Sequence, residues 1–287
     1  MSKTAVFSPV QSETFDDIKV TYIPDGGAYI NATTMYPTTS DENWDPHDYL
    51  INNKRQVVVT LGGFLIETGE KKVLMDLGYG PHIVDFPGFG PFIGGDYMKN
   101  LESTGVKPEE ITDVFYTHLH VDHVGWTSMV KDGVRKLSFP NASYWCSEKE
   151  WNYWQGSQNG LGPGQEDVVE FLEGRIRFAD DGQEIAPGLY AYDAPGHTPG
   201  MMILKLVAGD RIVWFTGDIF HSTVQFEENG WYAVFDIDHD TGAVTRQRML
   251  PEFVKENAVL ADGHFSDSVF GTLRVEDGKY IWKNHAE

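Results

Sequence analysis

The chain has a single cysteine, Cys146, among 287 residues. That excludes an internal disulfide and any metal cage built from several thiolates. Positive charge is also scarce: 22 Lys and Arg stand against 43 Asp and Glu, for a net charge of −21. A surface that acidic repels phosphate backbones and anionic membranes, because affinity for both comes from Lys and Arg displacing counterions. No nucleic-acid or membrane partner is expected, and a small neutral or cationic molecule fits better. Most of the carboxylates do no more than maintain solubility. Long apolar runs are missing too: nothing approaches the roughly 18 residues of a membrane span. The N-terminal "MSKTAVFSPVQSETFDD" lacks the continuous apolar core of a secretory signal, so a cytoplasmic protein is expected. There is no low-complexity tract, Pro/Ser linker or short repeat.

Hydrophobic residues make up 41% and aromatics 13%, a globular composition. They fall in short, β-branched runs punctuated by Gly, Pro and Asp. The runs predict strands at Ile18–Ile23, Val57–Ile66, Lys72–Met75, Asp113–Tyr116, Ser143–Cys146, Leu189–Asp193, Met201–Val207, Ile212–Phe215, Ala258–Ala261 and Gly271–Val275. Helices are predicted at Gly95–Ser103, after Asp122, at Ser147–Trp154, at Glu166–Phe171 and at Thr245–Asn257, where Pro251 divides the helix or marks its first turn. Many strands with interspersed helices imply a layered α/β or α+β domain. Three aromatic loops, "FPGFGPFIGGDY" (86–97), "WNYWQGSQNGLGPG" (151–164) and "FEENGWYAVF" (226–235), are expected to wall a substrate pocket or form a homodimer contact.

The ten histidines are not evenly spread. "YTHLHVDHVGW" (116–126) concentrates His118, His120, Asp122 and His123 just beyond an apolar run. "AYDAPGHTPGM" places His197 in a Pro-Gly turn after another run, "RIVWFTGDIFH" places Asp218 after a third, and "NAVLADGHF" places His264 after a fourth. Strand ends on a common edge can converge, so four such segments can build one site. His118 and His120 project from one face of extended backbone. Asp122 and His123 follow where the chain turns into a helix and point elsewhere. Three imidazoles (118, 120, 197) suit one zinc, Asp122 with His123 and His264 suits a second, and Asp218 has two oxygens with which to bridge them. His47, His82, His239 and His285 have no such context and are expected to be surface or otherwise satisfied residues.

"HLHVDH", His197 in "PGHTPG", Asp218 in "TGD" and His264 together resemble the metallo-β-lactamase superfamily of metal hydrolases. In "VLMDLGYG", Asp76 resembles the aspartate that supports that family's site from outside the ligand set. The resemblance implies a four-layer αβ/βα sandwich over residues 1–287, one domain made of two similar halves. It implies two Zn²⁺, with Mn, Fe or Co as alternatives, and a metal-bridging hydroxide that opens lactones or cleaves related carboxylic esters. Flavodiiron proteins carry an acid where this chain has His120, and glyoxalase II adds a C-terminal helical domain where this chain ends in "FGTLRVEDGKYIW". The segments "HVDHVGW", "SEKEWNYW" and "GDIFHSTVQF" look most like the quorum-quenching lactonase and methyl parathion hydrolase branch. One departure concerns His221, at a position where acyl-homoserine lactonases usually carry tyrosine. Asp122 and His221 are the candidates for proton transfer. A small, neutral, fairly apolar ester or lactone is the expected substrate. An organophosphate or sulfate-ester hydrolase, and a catalytically silent binding protein keeping the fold, are the alternatives.

Overall fold

Val73, Leu74 and Met75 are adjacent apolar residues that face two different cores: Val73 and Met75 point one way, Leu74 the other. The same split recurs at Met202, Ile203 and Leu204, and at Val213, Trp214 and Phe215. Side chains alternate across a strand, so runs that are apolar at every position belong to sheets covered on both faces. That pattern dictates layers.

A computed structural model, describing residues 5–157 and 160–285, shows them. The first sheet contains β1 (Gln11–Phe15), β2 (Ile18–Asn31), β3 (Gln56–Thr68), β4 (Lys71–Met75), β5 (Ile83–Phe86), β6 (Gly90–Ile93) and β7 (Asp113–Phe115). A separate hairpin, β8 (Ser128–Lys131) and β9 (Val134–Leu137), precedes β10 (Ser143–Cys146) and β11 (Ile176–Phe178), which complete that sheet. Its order is β11-β10-β7-β4-β3-β2-β6-β5, with β1 against β2. The second sheet runs in chain order: β12 (Glu184–Ala186), β13 (Leu189–Asp193), β14 (Met202–Ala208), β15 (Arg211–Phe215), β16 (Val259–Ala261), β17 (Phe270–Glu276) and β18 (Lys279–Asn284). The helices are α1 (Ala32–Met35), α2 (Tyr97–Ser103), α3 (Val121–Val124), α4 (Glu148–Trp154), α5 (Glu170–Leu172), α6 (Val224–Glu227) and α7 (His239–Lys255).

Between the sheets, Phe64 meets Phe215 and Phe270 edge-on, with ring centroids 5.3 and 5.8 Å apart. Outside the first sheet, Leu74, Val114 and Tyr116 pack with Leu101 and Trp151 of α2 and α4. Outside the second, Trp214 and Leu260 pack with Leu250 and Phe253 of α7. Helix, sheet, sheet and helix make the expected four-layer αβ/βα sandwich. Among the described residues no helix is long and apolar enough to cross a membrane.

Several boundaries differ from the sequence reading. β2 runs on to Asn31, because the polar interruption Pro24-Asp25-Gly26 is a register shift within the strand rather than its end. The segment at 86–97 forms much of the β5–β6 hairpin: its Pro and Gly, which resemble loop composition, supply the turn closed by Phe89 N donating to Phe86 O. α7 starts at His239, where the Asp238 side chain accepts from Thr241 N, and it continues through Pro251 without dividing. Of the loop at 151–164, residues 158 and 159 lie outside the described residues.

Candidate metal centre

Each cluster segment follows a strand directly: His118 follows β7, His197 follows β13, Asp218 follows β15 and His264 follows β16. One strand belongs to the first sheet and three to the second, so the site lies where the two sheets meet rather than along one sheet edge. The chain turns sharply at Gly217, whose φ of 49° is left-handed. Asp218 follows in the bridge region, at φ −99° and ψ 29°.

All seven nominated residues come together. His120 Nδ1 lies 3.0 Å from His118 Nε2 and 2.8 Å from His197 Nε2. Asp218 Oδ2 is 3.2 Å from His197 Nε2 and 3.0 Å from His264 Nε2, while its Oδ1 is 3.3 Å from His123 Nε2. Asp122 Oδ2 stands 3.8 Å from His123 Nε2 and 4.0 Å from His264 Nε2. Four overlapping groups of three with metal-ligating potential result; among them are His118–His120–His197 and Asp122–His123–His264, and Asp218 lies against both of these.

The outer nitrogens explain why the inner ones are available. His123 Nδ1 is 2.9 Å from Asp76 Oδ2, His197 Nδ1 is 2.9 Å from Asp236 Oδ1, and His264 Nδ1 is 2.9 Å from Thr60 O. These acceptors require the rings to donate. His118 Nδ1 meets Thr117 Oγ1 at 3.0 Å, and that hydroxyl gives its own proton to Asp76 Oδ2, so His118 must donate as well. The hydrogen positions follow from this network. Four rings therefore turn their Nε2 atoms inward, where they converge with the Asp218 carboxylate; His264 Nε2 lies within hydrogen-bond distance of Asp218 Oδ2, at 3.0 Å. His123 Nε2 and Asp218 Oδ1 are buried with no hydrogen-bond partner. A donor set of imidazoles and carboxylates, packed this closely and held from outside, fits divalent cations.

Electrostatics agrees. Burial, reinforced by neighbouring imidazoles, holds His118 and His120 well below the usual histidine range, so both are neutral and ready to ligate. Burial opposes a charge on His264 too, but the Asp218 carboxylate overcomes it and raises this residue to about 9. His123 moves up for the same reason, with Asp76 adding to Asp218. Burial would raise Asp218, yet the surrounding imidazoles bring it well below the carboxylate range. The lower half of the cluster thus has a strong demand for positive charge.

Sequence reasoning missed three supporting carboxylates. Asp236, just past the aromatic loop, orients His197 and is itself 3.5 Å from the buried Arg246. Glu150 is fully buried on α4; its Oε1 accepts from Leu119 N and Trp154 Nε1, its Oε2 from Thr198 Oγ1 and Gly200 N. Asp25 accepts from the backbone N–H of Tyr79, Gly80, Gly95 and Tyr97 and from the Trp126 indole. No local pattern marks any of them; an acid amid aromatics, as in "SEKEWNYW", was the one available signal. Asp76 was expected in its supporting place, and there it adopts φ 59°, a left-handed conformation that is uncommon for a non-glycine residue and clusters at functional sites.

His221 sits inside the centre. Its ring stacks on His264 at 5.6 Å, and its Nε2 is 3.4 Å from Asp218 Oδ2 without hydrogen-bond geometry. Burial lowers its pKa, against the pull of Asp218. The other four histidines lie apart from the centre. His47 is buried with its Nε2 3.7 Å from Glu228, His285 pairs with Glu13, His239 stacks on Tyr232, and His82 is exposed.

A cavity of about 150 Å³ opens over the cluster, with Asp122, Asp218, His221 and His264 in its lining. Phe86, Phe89 and Phe92 from the β5–β6 hairpin and Phe235 from the 226–235 segment line it, as expected of those loops. The 151–164 segment behaves differently: Trp151 and Trp154 join the core behind α4, and Leu161 lines the cavity instead. Ile30, Val59 and Leu61 supply further apolar wall from β2 and β3.

Comparison with known proteins places these features in context. The family model described as the metallo-beta-lactamase superfamily matches residues 63–252. An N-acyl homoserine lactonase of Bacillus cereus is 24% identical over 259 residues, covering 86% of this chain and 92% of that protein. Another from a Bacillus sp is 26% identical over 215 residues, covering 70% and 79%. Among solved structures, AidC, a dizinc quorum-quenching lactonase in complex with a product, superposes with a TM-score of 0.84 at 22% identity, covering 97% of this chain and 98% of that one. The hydrolase AbOPH superposes with a TM-score of 0.81 at 26% identity, again over 97% and 98%.

Proposed function

From the fact that this chain belongs to the metallo-beta-lactamase superfamily, we propose that it is a two-zinc hydrolase that opens lactones or cleaves related apolar carboxylic esters. One observation carries the reading: four imidazoles, each fixed from outside by an acceptor, turn their Nε2 atoms towards one carboxylate beneath an apolar cavity. His118, His120 and His197 would hold one ion, Asp122, His123 and His264 the other, with Asp218 shared. When bound, such a pair supplies Lewis acidity and an activated water near neutral pH.

The chain's own residues do the rest. The aromatic and aliphatic walls take the hydrocarbon part of the substrate and exclude bulk water. Asp122, at the cavity floor with its side chain 17% exposed, is placed to pass a proton towards the leaving oxygen. His221 is the second candidate for that transfer. A lactone substrate is supported by the named activity of the Bacillus relatives and of AidC. The acidic surface favours an uncharged substrate over an anionic one.

The test combines metal analysis with turnover. The purified protein should contain close to two divalent ions per chain and hydrolyse lactones and p-nitrophenyl carboxylates, with phosphotriesters and sulfate esters as controls. Chelation should abolish turnover and zinc should restore it. Asp218→Ala should lose metal and at least about 10³-fold in kcat. Full activity after chelation overturns the reading.

A further inference from the structure

Of the described side chains lining the cavity, two carry a nitrogen or oxygen and stand outside the proposed ligand set: His221 and Tyr79. His221 is stacked into the cluster itself. Tyr79 comes from the loop after β4, three residues beyond Asp76, and is only 6% exposed. Its ring touches His82 and Phe92, with centroids 6.0 Å away in both cases, but among the described residues its hydroxyl has no hydrogen-bond partner. The ring is packed while the hydroxyl is left free to pair with whatever occupies the cavity.

The backbone that presents this side chain is unusually constrained. Tyr79 N and Gly80 N both donate to Asp25 Oδ2 at 2.8 Å, and Gly95 N, Tyr97 N and the Trp126 indole donate to Asp25 Oδ1. Gly78, with φ 59°, packs so closely that a Cβ there would lie 2.7 Å from Asp25 Cβ. One buried carboxylate thus gathers the loop after β4, the entry to α2 and the chain beyond α3 around this tyrosine.

We propose that Tyr79 is a catalytic residue whose hydroxyl donates a hydrogen bond to the carbonyl oxygen of the bound ester or lactone as that oxygen gains negative charge. The proposal rests on the hydrolase reading above. In the reaction, water oxygen bonds to the carbonyl carbon, the bond from that carbon to the alkoxy oxygen breaks, and the departing oxygen takes up the proton released from water. Tyr79 keeps its own proton throughout. Burial and the nearby Asp122 charge both push the phenol upward, so it remains a donor across the working pH range. Away from the cluster, the other described side chains of the cavity wall offer hydrocarbon to a developing oxyanion.

Tyr79→Phe tests the idea with the fold undisturbed, since the hydroxyl has no protein partner to lose. For a lactone and for a p-nitrophenyl ester, kcat should fall about 10- to 100-fold. KM, metal content and the visible spectrum of the cobalt-substituted protein should be unchanged. A variant with kcat within twofold of the unaltered protein overturns the proposal. So does one that loses metal in proportion to activity, because Tyr79 would then support the cluster rather than the substrate. If the unaltered, zinc-loaded protein turns over no lactone or carboxylic ester, the hydrolase reading fails and this proposal fails with it. Failure of Tyr79→Phe alone leaves the hydrolase reading standing.

Discussion

Glu150→Gln is the substitution for which the structure gives the clearest magnitude. The change is isosteric, but the site contains only donors. Two of them, Leu119 N and Trp154 Nε1, converge on one oxygen at 3.0 and 2.7 Å. Thr198 Oγ1 and Gly200 N converge on the other at 2.7 and 3.1 Å. Glutamine can present its oxygen to one pair only, and its NH₂ must then face the other. Thr198 can rotate its hydroxyl to accept from that NH₂, whereas Gly200 N–H cannot. With the amide turned the other way, both Leu119 N–H and the indole are stranded, so the first orientation should prevail. One buried N–H loses its acceptor, at about 1–3 kcal/mol, and a charge-assisted bond becomes a neutral one, at about 1 kcal/mol. The sum is roughly 2–4 kcal/mol, or about 3–7 °C in Tm for a chain of this length. Leu119 lies between His118 and His120, and Thr198 follows His197, so the loss falls on the loops carrying the three-imidazole group. Affinity for the ion held there should fall about 10- to 100-fold, as is usual when an outer support of a metal site is removed. Calorimetric unfolding and competitive zinc titration read the two effects. A destabilisation below about 1 kcal/mol together with unaltered zinc affinity would refute this account of Glu150.

Two further outcomes follow from the centre itself. His221→Phe removes both ring nitrogens but keeps a ring against His264; kcat should fall about 10²-fold or more with both ions retained, and an unchanged kcat would return His221 to packing. The second concerns pH. His264 is raised to about 9 when it carries a proton beside Asp218, and a cation can bind its Nε2 only after displacing that proton. Metal affinity should therefore be fully developed above about pH 9 and weaken as pH falls, up to about tenfold per unit for each proton displaced. Zinc dissociation constants at pH 6 and pH 8, measured with a competing chelator, should differ by at least tenfold in that direction. Equal constants would mean that His264 is not a ligand.

How legible the protein was in its sequence depended on whether the information was local. The clustered histidines and aspartates were legible because each sits just past an apolar run, and a strand end fixes where the next side chain can go. The α/β layering was legible because many short β-branched runs alternate with helical segments, and runs such as Val73–Met75 and Met202–Leu204 lie in sheets covered on both faces. The β5–β6 hairpin was hidden, because "FPGFGPFIGG" has the composition of a loop and its pairing partner in β2 lies more than fifty residues away in the chain. β2 was cut short by the same logic, since nothing local distinguishes the register shift at Asp25 from a strand end.

The supporting carboxylates mark where local reading stops. Asp25, Asp76, Glu150 and Asp236 are all buried acids, yet only Asp76 stands in a recognisable motif. Each owes its meaning to partners far along the chain: Glu150 reaches Thr198 across 48 residues, Asp25 reaches Trp126 across 101, and Asp236 reaches His197 across 39. A buried carboxylate is tolerable only when donors surround it, so each of the four must draw separate segments together as a condition of being buried at all. Three of them converge on residues that hold the cluster and the fourth on the loop that carries Tyr79. The excess of acid over base in the chain is therefore not only a surface property. A small part of it lies inside, where Asp76 and Asp236 orient His123 and His197 and Asp25 holds the loop that carries Tyr79. The residues of the cluster can be named from strand ends; those that hold them in place become visible only once the segments they join are seen together.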